Sequence, residues 1–200
     1  MYAINRKYVN FYIYKEENQT ICFDTGTGCN GIKRELKKIN IIPDQITHVF
    51  LTHSDKDHVD GIKLFNNAGI YMSKLELPLT EGKIKRSPFT KNIIKEKKYQ
   101  TLDDGEIIKI GPIKIKAIST PGHTPGSMSY LLNDFILFVG DTIDIKKNEA
   151  TTGLNFMNMN TELQKESIKK LSKLKDISIV CTGHSGTSLD FDSIMKKWQI

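Results

Sequence analysis

The sequence predicts an α/β (α+β) fold in which two mixed β-sheets pack face to face with helices outside. Three observations carry that expectation. Short apolar runs, one in strict alternation, fall into two strand-rich groups. Segments with apolar residues at helical spacing lie between and after them. Ionisable residues gather just beyond the C-terminal ends of several of the apolar runs. No linker, low-complexity tract or repeat divides the 200 residues, so residues 1–200 are expected to form one domain with a large core.

Taken in order, "VNFYIYKEENQTICFDTG" reads as a hairpin around a polar "EENQT" turn. "CNGIKRELKKINI" places Ile32, Leu36 and Ile39 at helical spacing. "ITHVFLT" is a buried strand, "VDGIKLFNN" a helix after it, and "IYMSKLE" a further strand. Residues 77–98 lack a clear period and are expected to be an irregular or helical insert; residues 142–159 are expected to be an irregular loop. "EIIKI", "IKIKAIST", "SMSYLL" and "FILFVGD" follow as strands, the last two joined by Asn133 and Asp134. "MNTELQKESIKKLSKLK" is an amphipathic helix capped by Asn160 or Thr161. "ISIVCTGH" is a last buried strand and "DFDSIMKKWQI" a terminal helix.

Composition excludes several classes. No stretch approaches the roughly 18 apolar residues of a membrane span. No small-residue cleavage site follows an apolar run near the N-terminus. Cys22, Cys29 and Cys181 have neither metal-knuckle nor redox spacing, so a reduced, cytoplasmic setting and no membrane partner are expected. The net charge of +6 comes from 26 lysines and 3 arginines spread as solvated faces. A small-molecule substrate is therefore expected rather than nucleic acid. The sequence carries no signal of oligomeric state.

The chemistry is concentrated in "LTHSDKDHVDG". In an extended segment His53, Asp55 and Asp57 share one face, and the start of a helix turns His58 towards them from another side. Four such groups so close together disfavour one another unless a cation sits among them. Histidine nitrogen and carboxylate oxygen are the usual ligands of zinc, iron and manganese. "STPGHTPGS" puts His123 in a loop stiffened by Pro121 and Pro125, while "FVGDT" and "CTGHSG" leave Asp141 and His184 at strand ends. His48 lies inside a strand and is expected to be structural, as is the core thiol Cys181. Asp24 is expected to orient its own turn or a ligand, and Asp60 to be an early-helix charge or a supporting group. "GTGCNG" (Gly26 to Gly31) matches G-x-G-x-x-G. Its preceding strands read as a hairpin rather than a parallel βαβ unit, and Asp44 comes too soon, so nucleotide binding is not expected.

Taken together these residues resemble the metallo-β-lactamase-fold hydrolases, whose signature runs His-x-His-x-Asp-His, then a later His, a bridging Asp and a final His. The resemblance covers essentially the whole chain. It implies a four-layer αβ/βα sandwich, the metallo-β-lactamase fold, with two divalent metal ions along one edge: zinc first, manganese or iron as alternatives. It implies that His53, Asp55 and His123 hold one metal, that Asp57, His58 and His184 hold the other, and that Asp141 bridges them. A metal-bridged hydroxide would then cleave an ester, thioester or lactone bond of a small substrate. Asp57 would be the catalytic proton relay. A substrate-domain extension like that of hydroxyacylglutathione hydrolases is not expected, which argues against a glutathione thioester.

One position departs from the family pattern: Asp55 stands where the second histidine belongs. Two divalent cations against three carboxylates and a hydroxide leave no net charge, where the usual site keeps one positive charge. More oxygen ligands lean towards harder metals. The DNA-uptake competence proteins are similar in having Asp at that place, and the flavodiiron oxygen and nitric oxide reductases have Glu and bind iron. Three alternatives therefore stand beside the main reading. They are a phosphodiesterase or nuclease of the same fold, a di-iron oxygen- or nitric oxide-binding or redox protein, and a degenerate scaffold whose first metal position has failed.

Overall fold

Successive side chains of a strand face opposite ways, and where both faces are apolar the sheet needs a layer on each side. The computed structural model describes residues 1–94 and 99–199 and has that layering. The first sheet runs, in spatial order, β1 (Tyr2–Arg6), β2 (Val9–Glu16), β3 (Gln19–Phe23), β4 (His48–Phe50), β5 (Gly69–Ser73) and β6 (Tyr99–Leu102). Its first three strands are antiparallel and β3 to β6 are parallel. The second sheet is built from β7 (Ile107–Ile110), β8 (Ile113–Ser119), β9 (Met128–Leu132), β10 (Ile136–Gly140), β13 (Ile179–Thr182) and β14 (Thr187–Ser188). Its spatial order is β14-β13-β10-β9-β8-β7, with β10 and β13 its parallel pair. A separate hairpin pairs β11 (Asp144–Lys146) with β12 (Glu149–Thr151).

The period of two sorts the side chains into three cores. Ile21, Phe23, Phe50 and Tyr71 from the first sheet meet Ile115, Tyr130, Phe138 and Cys181 from the second. The Phe23 and Phe138 rings stack across this interface with centroids 3.7 Å apart. On the outer face of the first sheet, Phe11, Ile13, Cys22 and Val49 pack with Ile32 and Leu36 of helix α1 (Cys29–Lys38). On the outer face of the second, Leu137, Val139 and Val180 pack with Ile168 and Leu171 of α4 (Thr161–Leu171) and Ile194 of α5 (Phe191–Met195). Helix, sheet, sheet, helix is the expected four-layer sandwich. Among the described residues no helix is long and apolar enough to cross a membrane.

The differences from expectation are local. The helix expected over "VDGIKLFNN" is a short α2 (Lys56–Val59) running into a 3-10 turn, Asp60–Leu64. The Gly61 N–H bonds the Thr25 hydroxyl at 3.1 Å, so the turn is pinned to the loop after β3 and does not continue as a helix. Strands β1, β6 and β14 were not expected. Among its described residues the insert contains one helical turn, α3 (Leu77–Thr80), and an isolated Ser87–Thr90 bridge; its positions 95–98 lie outside the described residues. The loop over 142–159 is not irregular throughout: it contains the β11–β12 hairpin and a 3-10 turn, Asn155–Met157. Asn160, rather than Thr161, caps α4, its side-chain oxygen accepting the Leu163 N–H. The first half of the chain does contain a parallel unit, since β3 and β4 pair in parallel around α1. The glycine-rich turn is nonetheless filled from within, because the Gly28 N–H at its helix entrance is taken by the Asp60 carboxylate.

The loops at the C-terminal ends of the strands are clamped by one fully buried side chain, Glu76. Its Oε1 accepts the Ser54 N–H and hydroxyl, and its Oε2 accepts the Thr124 hydroxyl and the Gly126 N–H. The loop holding His53 is thereby fixed to the loop holding His123. Three outcomes follow for stability. Phe138→Ala is expected to cost about 3–5 kcal/mol, read from the denaturant midpoint. Glu76→Ala is expected to cost about 3 kcal/mol or more, because four donors lose their acceptor. Glu76→Gln recovers only part of that, since its amide nitrogen must face donors.

Candidate metal centre

The centre is assembled at the strand ends. His53 follows β4, Asp55 stands at the entrance of α2, and Asp57 and His58 lie within it. His123 occupies the β8–β9 loop, Asp141 follows β10 and His184 follows β13. The sheets are tied together here: the Asn10 N–H bonds the Gly183 carbonyl at 2.7 Å, and the Gly183 N–H bonds the Gly140 carbonyl at 2.8 Å. Gly183 is required to be small, because a Cβ there would collide with the Asp141 carboxylate and the His58 ring.

Each of the four imidazoles is held from behind through Nδ1. His58 Nδ1 donates to Asp24 Oδ2 at 2.8 Å and His184 Nδ1 to the Tyr8 carbonyl at 2.7 Å. His53 Nδ1 contacts Thr52 Oγ1 at 3.0 Å, and that hydroxyl in turn donates to Asp24 Oδ2. His123 Nδ1 meets Asn158 Oδ1 at 2.9 Å, with the amide oriented by its nitrogen donating to the Thr152 carbonyl. With Nδ1 carrying the proton, every Nε2 is left as a lone pair turned inwards.

Those nitrogens converge on Asp141. Its Oδ2 lies 3.1 Å from His184 Nε2, 3.5 Å from His123 Nε2 and 3.9 Å from His53 Nε2, and its Oδ1 lies 3.2 Å from His58 Nε2. Acceptors so crowded need something positive between them, either protons or cations. Protons alone leave their mark on the titration. Burial lowers the His184 pKa but the Asp141 carboxylate outweighs it, raising it to about 9. Burial likewise disfavours charged His58, yet Asp141 and Asp24 push it well above its usual value. Burial raises Asp141, and the surrounding histidines, His58 foremost by charge, hold it well below the carboxylate range instead. The buried His53 Nε2, His58 Nε2 and Asp141 Oδ1 have no hydrogen-bond partner, a state that metal ligation would relieve.

Two trios could hold an ion. His53, His123 and Asp141 each offer one ligand atom, all within 4.8 Å of one another, and so do Asp57, His58 and His184. The structure thus brings all seven expected residues to one edge, but Asp55 is engaged differently. Its Oδ1 accepts from Arg86 Nε at 2.8 Å and from the Asn92 amide at 2.6 Å, while its Oδ2 lies 3.0 Å from His123 Nε2. Burial raises the Asp55 pKa, but His123, His53 and Arg86 hold it far below its usual value. Asp24 orients His58 and Thr52, as its turn suggested, whereas Asp60 serves the start of α1 and not the centre. His48 bonds the Thr47 hydroxyl through Nδ1 and stacks on Tyr71, a structural role. Cys181 is a buried core thiol.

Arg86, Asn92, Asn158 and Glu76 were missed, because each reaches the centre from 22 or more positions away and belongs to no spacing pattern. One signal was available: Arg86 is one of three arginines in a chain that otherwise uses lysine. The centre opens into a cleft of about 310 Å³ whose wall includes Tyr8, Ile143, Leu154 and Met157.

The family model of the metallo-beta-lactamase superfamily matches residues 4–184. A "probable metallo-hydrolase" of Methanocaldococcus jannaschii is 32% identical over 157 residues, 78% of this chain and 66% of that protein. A "probable polyketide biosynthesis zinc-dependent hydrolase" of Bacillus subtilis is 37% identical over 117 residues, 54% of this chain and 46% of that one. A hydroxyacylglutathione hydrolase of Aeromonas hydrophila is 26% identical over 190 residues, 92% of this chain and 63% of its own. The chain thus spans less than two thirds of the length of these three relatives. In fold, it is similar to a solved B3 metallo-β-lactamase with an active-site glutamic acid, at TM-score 0.78 and 17% identity over 98% of this chain and 82% of that one. The chain belongs to the metallo-β-lactamase superfamily of metal-dependent hydrolases.

Proposed function

We propose that this protein uses two cation positions, with zinc the first candidate, to hydrolyse an ester, thioester or lactone bond of a small, largely apolar substrate. The observation that supports this best is the set of four Nε2 lone pairs turned onto the Asp141 carboxylate. His53, His123 and Asp141 would hold one ion, and Asp57, His58 and His184 the other, with an Asp141 oxygen offered to each. When bound, such ions supply Lewis acidity and an activated water.

The chain's own residues do the rest. The Asp24, Thr52, Tyr8 and Asn158 contacts fix ring tautomer and orientation before any substrate arrives. Asp57 is about one-fifth exposed and lines the cleft, where it can accept a proton and pass it to a leaving group. Tyr8, Ile143, Leu154 and Met157 offer apolar surface to the acyl portion. Among the described residues, none lining the cleft is Lys or Arg, and Asp144 adds a further carboxylate. A phosphodiester would meet the carboxylates of Asp57, Asp141 and Asp144, and the nearby Arg86 is already paired with Asp55, so a neutral acyl compound is favoured. The relatives described as a zinc-dependent hydrolase and a hydroxyacylglutathione hydrolase support zinc and acyl chemistry.

Elemental analysis of protein purified without chelators is expected to find divalent metal, with zinc predominant. Asp141→Ala is expected to abolish turnover while the circular dichroism spectrum stays unchanged; unchanged turnover would overturn the shared carboxylate as part of the catalyst. Asp24→Ala is expected to weaken metal binding about 10–100-fold through loss of its hold on His58 and Thr52. Nitrophenyl esters, thioesters and lactones are expected to react where bis(nitrophenyl) phosphate does not, and turnover of the phosphodiester alone would overturn the acyl assignment.

A further inference from the structure

Arg86 reaches into the centre from the insert after β5 and makes polar contacts with three residues there. Its Nε bonds Asp55 Oδ1 at 2.8 Å and Oδ2 at 3.1 Å. Its Nη2 lies 3.1 Å from His123 Nε2 and donates to the Met157 carbonyl at 2.6 Å. Its side chain is only 12% exposed and that of Asp55 only 18%, so the pair is shielded from solvent. Asn92 adds a second donor on Asp55.

His123 makes the consequence sharp. Its Nδ1 proton is committed to Asn158 Oδ1, and the Asn158 amide is fixed by its own bond to Thr152. The neutral imidazole that a metal ion would meet has one lone pair left, on Nε2, which also lies 3.0 Å from Asp55 Oδ2. An Arg86 N–H or a metal ion can take that lone pair, but not both. Arginine cannot make way by losing its proton, since its guanidinium stays charged at any accessible pH. Asp55, the carboxylate replacing the usual histidine, has its oxygens turned to donors. Its charge is therefore cancelled by a residue that sequence spacing did not reveal.

We infer that Arg86 is a built-in competitor for the first metal position, so that the two positions are unequal: the Asp57–His58–His184 trio binds its ion tightly, and the His53–His123–Asp141 trio binds only where an ion displaces the guanidinium. Displacement has a second effect. Arg86 also holds Met157, which lines the cleft, so filling the first position breaks this bond between the insert and the 152–159 loop. This rests on the proposed metal centre but not on the reaction assigned to it.

The test is a cobalt(II) titration of chelator-stripped protein, followed by the visible d–d bands and checked by elemental stoichiometry. Wild type is expected to take one equivalent tightly and a second more weakly. Arg86→Met, which keeps the length and removes charge and donors, is expected to tighten the second equivalent about 10–100-fold and leave the first within about threefold. Arg86→Lys keeps the charge but loses the fork across Asp55 and His123, and is expected to tighten it by less. Two equally tight equivalents in wild type, or a second equivalent unchanged or weakened in Arg86→Met, would overturn the inference. If the Met variant does not fold, the Lys variant decides alone: an unchanged or weakened second equivalent overturns the inference. Absence of turnover in every variant, with the titration as expected, would instead overturn the hydrolase assignment and leave this inference standing.

Discussion

Mutual repulsion between imidazole lone pairs and the Asp141 carboxylate is the constraint on which the rest of this molecule depends. Four rings cannot point bare nitrogens at an anion unless each is prevented from turning away. The acceptors behind them come from every part of the fold: a carboxylate after β3, a hydroxyl after β4, a carbonyl before β2 and an amide after β12. The Glu76 clamp and the bonds through Gly183 then hold the loops at fixed separation. Much of the polar structure at this edge therefore keeps an unfavourable arrangement in place for a cation to relieve.

The layered core was legible because its cause is local. Alternation along "IKIKAIST" assigns Ile113, Ile115 and Ala117 to the inter-sheet face, and helical spacing assigns Ile32 and Leu36 to the outer one. The ligand set was legible for a related reason: strand ends put side chains at one edge, and histidines and aspartates stood at those ends. The strands that escaped are short or peripheral. β14 has two residues and exists because β13 offers it an edge, and β11 and β12 pair only with each other. No period can appear in so few residues.

What the sequence concealed is tertiary. Glu76 reads as one more charge in a charged chain, yet four converging donors make it the most fully used acceptor near the centre. Asp55 reads as a ligand by position, and only the approach of Arg86 and Asn92 shows that its oxygens are already engaged. Lysine could not have replaced Arg86, since a point charge cannot contact a carboxylate, a ring nitrogen and a carbonyl through two separate nitrogens. In a chain with 26 lysines, that geometric demand is what the rare arginine marks.

The seam between the halves has a consequence for the order of events in the molecule's life. Each trio joins residues from the first sheet's loops to residues from the second's: His53 to His123 and Asp141, Asp57 and His58 to His184. Neither half alone owns a complete set. In zinc fingers the ion gathers a local stretch of chain and folds it. Here an ion arriving while the sheets are apart meets at most fragments of a site, so capture follows docking, and the apoprotein must carry its own architecture to the point where the ion is welcome.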